Sequence, residues 1–139
     1  MKKSILAFSV LATVAFFSCS SSDDNGSTIG PSEPTVVSVT GSITSPTTTW
    51  TNNNIYQLNQ KVVVQSGATL TIQPGTIIKG SSGTGSLASA LVIARGGKLI
   101  AEGTATQPII FTSASDNIAL GQTMGTNLDQ NDRGLWGGL

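Results

Sequence analysis

Val64-Gln65-Ser66-Gly67-Ala68-Thr69-Leu70-Thr71-Ile72-Gln73-Pro74-Gly75-Thr76 and Ile93-Ala94-Arg95-Gly96-Gly97-Lys98-Leu99-Ile100-Ala101-Glu102-Gly103-Thr104 follow one pattern. Each runs apolar residue, two variable residues, Gly, two residues, Leu, and later Gly-Thr. Gly67 to Gly96 and Leu70 to Leu99 are both spaced by 29 residues, and one gap at Pro74 brings the spacing to 28. A further apolar strand follows each copy, Thr76-Ile77-Ile78 and Ile109-Ile110-Phe111. A period of 20–30 residues built from short strands and Gly turns indicates a β-solenoid. One coil cannot bury its inward side chains alone, whereas stacked coils bury them in a continuous column. Leu70 should then lie on Leu99 and Val64 on Ile93. Gly67 and Gly96 should turn a corner with left-handed dihedrals. Thr and Ser should coat the outer faces.

The surrounding chain keeps this grammar. Short apolar runs are expected at Val36–Val39, Ile55–Leu58, Val62–Val64, Thr69–Ile72, Thr76–Ile78, Leu91–Ile93, Lys98–Ala101 and Ile109–Thr112. None sustains a 3.6-residue period, so no helix is expected among them. Gly80–Ser86 (GSSGTGS) reads as a loop bulging from one corner between coils. Charged residues make up 10% of the 139-residue chain, with 7 Lys+Arg, 7 Asp+Glu and no His. Zero net charge and scattered Lys61, Lys79, Arg95, Lys98 and Arg133 argue against nucleic acid as a partner, because phosphate binding needs clustered cations. The absence of His removes the commonest general base and metal ligand.

The first residues carry a different message. Lys2-Lys3 precede the 13-residue apolar run Ile5–Phe17, followed by Ser18 and Cys19. This is the anatomy of a helical signal peptide, and the run is too short to span a bilayer, which takes about 20 residues. Cys19 is the single cysteine, so no internal disulfide is possible. The segment resembles bacterial lipoprotein signals, in which cleavage after a small residue such as Ser18 leaves the Cys as the first, acylated residue. That family prefers Leu where this chain has Phe16. The resemblance implies cleavage between Ser18 and Cys19, lipid such as palmitate at Cys19, and anchoring without a transmembrane helix. Ser22-Asp23-Asp24 resembles the surface-export signal of lipoproteins of the Bacteroidetes group. Cleavage would leave 5 Lys+Arg against 7 Asp+Glu. From Ser20 to about Pro34 the chain is Gly, Ser, Pro and acid, a flexible tether.

Three further blocks extend the resemblance. Gly67–Gly80, Gly96–Ser113 and Trp136-Gly137-Gly138-Leu139 are similar, in that order, to the start of the right-handed parallel β-helix (pectin-lyase-like) lipoproteins of Bacteroidetes. In that family the Trp-Gly-Gly block opens another coil. The organisation expected is therefore a signal peptide at 1–18, a lipidated Cys and disordered linker at 19–35, and an incomplete parallel β-helix at 36–139. No polar or helical cap closes the last coil, which reads as a truncated chain; a short protein capped by a partner is the other reading.

Candidate chemistry is sparse. Asp129-Gln130-Asn131-Asp132-Arg133-Gly134 sets oxygen ligands at alternate positions, as Ca²⁺ loops do, but lacks the distal bidentate Glu and reads as a polar loop. Glu102 and Asp116 are the acids between Glu33 and Asp129, and they form no evident catalytic pair. Asp116-Asn117 reads as a turn. Gly80–Gly85 and Gly137-Gly138 lack the Lys-Ser/Thr ending of a phosphate loop. Trp50 and Trp136 read as packing residues ahead of sugar platforms. No catalytic, metal or cofactor residue is assigned. The expectation is a lipid-anchored protein of the outer membrane, at the cell surface. Its partners would be the membrane and an extracellular glycan or surface protein. The alternative is the N-terminal part of a β-helix lyase or hydrolase.

Overall fold

A computed structural model describes residues 34–139. Cys19, Ser18 and Ser22-Asp23-Asp24, with the whole signal and most of the tether, lie outside the described residues. The described chain forms eight strands: β1 (Thr35–Ile43), β2 (Thr48–Trp50), β3 (Asn54–Val64), β4 (Thr69–Ile72), β5 (Ile77–Gly80), β6 (Ala90–Ile93), β7 (Lys98–Ala101) and β8 (Ile110–Ser113). Among the described residues there is one 3₁₀ turn, Gly85–Leu87, and no α-helix. Every strand pair is parallel. One sheet runs β1-β3-β5-β8, with β6 also on β3, and the other runs β2-β4-β7.

Successive coils therefore climb, each adding a rung to both sheets. Leu70 pairs with Leu99 and Val64 with Ile93, the two stacks anticipated from the 29-residue repeat. Gly67 and Gly96 turn the corner with φ of 81° and 83°, and the Gly67 amide donates to the Gly96 carbonyl at 2.9 Å. This region is costly for residues with a Cβ, which explains Gly in both copies. The inward column holds Leu58, Val62, Val64, Leu70, Ile72, Ile78 and Leu91, all essentially buried. Burying each such side chain contributes roughly 1.5–3 kcal/mol. Trp50 and Tyr56 belong to the same core, stacked with ring centroids 4.7 Å apart.

Four details differ from the sequence expectation. β2 was absent from it, because Thr48-Thr49-Trp50 carries a single large apolar residue. Ile55–Leu58 and Val62–Val64 are one strand, β3, carried through polar Asn59-Gln60-Lys61 by pairing on both sides. The 28-residue spacing beyond Pro74 is not kept. Residues 104–107 are accommodated as extra turn, and Ile77 pairs with Ile110, a spacing of 33. Lastly, Ile55, Ile77 and Ile110 stack in register on the outer wall, where Thr and Ser were expected.

Candidate functional site

The first sheet is interrupted at the same place in every coil. Between the paired positions Val39 and Gly41 the first coil has Thr40 alone, while the second has Asn59–Lys61 between Leu58 and Val62. The third leaves the wall after Gly80 and returns at Ala90. The fourth leaves after Ser113 and returns at Gly137, whose amide donates to the Ser89 carbonyl at 2.7 Å. The Leu91 amide donates to Gly138 at 3.1 Å, so Gly137-Gly138 starts the next rung on this wall. At the break Gln60 takes φ 72°, the one non-glycine with positive φ among the described residues.

Short polar side chains tie these excursions together. Asn59 donates to Ser38 Oγ at 2.6 Å, and Ser81 Oγ donates to Asn59 Oδ1 at 2.5 Å. Gln57 donates to Ser81 Oγ at 3.0 Å. Ser89 Oγ donates to the Ser81 carbonyl and closes the base of loop 81–89. That loop presents exposed Leu87 at its tip. The bulging loop expected at Gly80–Ser86 is thus observed at 81–89, Gly80 itself being the last residue of β5, and its base is anchored three coils deep.

The longer excursion, 114–136, folds back on the outer wall. Ile118 is buried against Ile55 and Ile77, with Ile110 and Leu120 alongside. The Lys79 ammonium, on the same outer face as Ile77, donates to the carbonyls of Asp116 and Ile118, both at 2.8 Å. The Asp116 carboxylate accepts from Thr112 Oγ1 at 2.6 Å and from the Ile118 amide at 2.9 Å. Asn117 is clasped by Thr126 and Asn127. Trp136 ends the excursion flat against Gly80, where an added Cβ would lie 2.4 Å from its ring.

The candidates from sequence fall into place within this frame. The turn expected at Asp116-Asn117 falls two residues earlier, on Ala114-Ser115, closed by the Asp116 amide donating to the Ser113 carbonyl at 3.0 Å; Asp116 and Asn117 follow it, held by the bonds just described. In the 129–134 cluster the Asp129 carboxylate caps the Asn131 amide and the Asp132 carboxylate caps the Asp129 amide. Trp50 is a core residue stacked on Tyr56, and Trp136 is a half-buried packing residue. Glu102 and Asp116 are not brought together by any hydrogen bond. What sequence reasoning missed is the outer isoleucine stack and its strap. The signal was present: Ile55-Tyr56, Ile77-Ile78 and Ile110-Phe111 put two large apolar residues in succession, as strands buried on both faces do.

Two clefts flank the strap. One, about 260 Å³, lies between Phe111–Ser113 and the returning Leu135-Trp136. The other, about 180 Å³, lies at the corner where the second sheet passes back to the first. It is lined by Asn52, Gly75, Gln107 and Pro108 from three stacked turns and by Gln122 and Thr123 from the excursion.

A climbing column of parallel rungs, with two sheets joined by stacked corners, defines a parallel β-helix. The family model described as a pectate-lyase-like β-helix domain matches residues 41–139, and the chain belongs to that family. No curated protein and no solved structure matches the chain.

Proposed function

We propose that the chain is an exported, lipid-anchored cell-surface protein whose β-helix is a non-enzymatic binding or structural platform. The single observation that carries the platform reading is the repeated break in one wall. A rigid column displays excursions of increasing length at one place, cross-tied by Ser38, Asn59 and Ser81. The anchor reading rests on Lys2-Lys3, the apolar run, Ser18 and Cys19. Membrane contact is through lipid at Cys19, and the ligand is an extracellular glycan or a surface protein.

The test combines acylation and exposure. Cells fed an alkyne fatty acid should label the wild-type chain and not Cys19→Ala, and protease added to intact cells should remove residues 34–139. Label retained on Cys19→Ala would sink the anchor, and full protection from protease would sink the surface location. Replacing Ser22, Asp23 and Asp24 together by Ala should leave acylation intact and abolish protease access.

The family's description supports a second reading, in which this chain is the N-terminal part of a β-helix carbohydrate-active enzyme with catalytic coils outside it. Incubation of this chain, and of the product of its natural reading frame, with polygalacturonate separates the two: release of unsaturated or reducing ends by either would replace the platform reading with the enzymatic one.

A further inference from the structure

We infer that the corner cleft bounded by Asn52, Gly75, Gln107 and the excursion is a subsite for one unit of a neutral saccharide. The inference rests on the proposed surface-platform reading and assigns it a ligand class.

The cleft exists because of a missing side chain. Asn52 and Gln107 flank Gly75 from the turns on either side of it: a Cβ built on Gly75 would be 3.6 Å from both the Asn52 and Gln107 Cβ atoms. Glycine in the middle coil, with φ 81°, leaves a notch between two carboxamides. Gln122 and Thr123 wall the notch from the side. The space measures about 180 Å³.

The lining selects the ligand. None of the residues around the cleft is ionisable, so neither an anion nor a cation would meet a counter-charge there. Carboxamides and hydroxyls both donate and accept, which matches the vicinal hydroxyls of a sugar. The Asn52 and Gln107 side chains make no hydrogen bond to other described residues, and the Gln122 Oε1 accepts from the Ala119 amide, leaving its NH₂ group to donate outward. The Pro108 ring offers an apolar edge to sugar C–H groups.

The backbone of the cleft is held before any ligand arrives. The Gln107 carbonyl accepts from the amides of Gly75 and Thr104, at 3.0 and 3.1 Å, and the Gln107 amide donates to Thr104 Oγ1 at 3.0 Å. Ordering of the main chain therefore does not weigh against binding.

The experiment applies the full acylated chain, in mild detergent, to arrayed neutral oligosaccharides of glucose, mannose and galactose and to oligogalacturonate, at low and high NaCl. The expected result is binding to at least one neutral series, insensitive to salt. Asn52→Ala and Gln107→Ala, both exposed and outside the core, should each weaken it about twofold to tenfold, the range for one hydrogen bond, with unchanged thermal melts. Failure to bind any neutral series overturns the inference. So does salt-sensitive binding confined to oligogalacturonate, or binding unaffected by both substitutions. An acylated, protease-accessible chain that binds no neutral sugar removes the subsite and leaves the anchored-platform reading standing. A chain neither acylated nor exposed removes that reading whatever the array shows.

Discussion

Gly80→Ala tests whether Trp136 docks the end of the long excursion onto the wall. Gly80 lies in β5, in register with Leu58 below and Ser113 above. Its φ is not positive, so alanine fits the backbone without strain there. The space is what fails: the new Cβ would stand 2.4, 2.5 and 2.8 Å from Trp136 Cε3, Cδ2 and Cβ. Such distances force the indole to move, and over-packing of this kind typically costs about 1–3 kcal/mol. With a urea m-value of ~2 kcal/mol/M, a 2 kcal/mol loss lowers the unfolding midpoint by about 1 M. The assay is urea denaturation followed by far-UV circular dichroism, in a double-mutant cycle with Trp136→Ala. With the indole absent, Gly80→Ala should be neutral within ~0.5 kcal/mol, so the coupling should be about 1–3 kcal/mol. An equal loss in the two backgrounds would refute the reasoning, because the cost would then come from the strand and not from the indole. A midpoint unchanged by Gly80→Ala alone would refute it as well.

Other expectations follow from the same rungs and strap. Leu70→Ala, at a fully buried rung, should destabilise by about 2–5 kcal/mol in denaturation, whereas Leu99→Ala, half-buried one coil higher, should cost less. Gly96→Ala should cost about 1–2 kcal/mol for its positive φ and more for the Ser66 Oγ that lies 2.5 Å from the new Cβ; Gly67→Ala meets nothing and should cost the backbone term alone. Lys79→Met should speed amide hydrogen exchange in residues 114–120 and leave β4 protected, since the ammonium bonds the strap and not the column. Gln60→Gly should be neutral or stabilising by up to about 1 kcal/mol in thermal melts, because it relieves a left-handed non-glycine.

The column was legible because its two constraints are written in residue types. Inward rungs demand Leu, Ile or Val, and the tight corner demands Gly, so Leu70/Leu99 and Gly67/Gly96 announce the register by themselves. The second corner was misaligned for the opposite reason. Gly75 and Gly103 look equivalent, yet Gly75 has φ 81° while Gly103 is not in that region, and the Gly75 amide instead meets Gln107. Strand β2 escaped notice because its pairing with β4 supplies what its own side chains do not. The candidate subsite was illegible for a similar reason. Asn52, Gly75 and Gln107 are ordinary turn residues in sequence, and they become a group only when three coils are stacked.

The break in the wall bears on how such a surface can be elaborated. Register above each excursion is unaffected by its length, since Val64 meets Ile93 across loop 81–89 just as Ile43 meets Val64 across Thr40 and Asn59–Lys61. Loop-closure cost grows with the logarithm of length, so lengthening from 81–89 to 114–136 adds only about 0.8 kcal/mol of entropic penalty. The longer excursion offsets this by burying Ile118 on Ile55 and Ile77 and by engaging Lys79. Fully burying one such isoleucine contributes roughly 1.5–3 kcal/mol, more than the added closure cost. A polar segment can therefore be exchanged or extended at this position without disturbing the column, provided two apolar residues remain to cover the outer isoleucines. It follows that polar substitutions at exposed positions such as Gln122 and Thr123 should alter what the corner cleft recognises at little cost in stability, whereas Ile118→Asp should release the strap and dismantle that wall of the cleft.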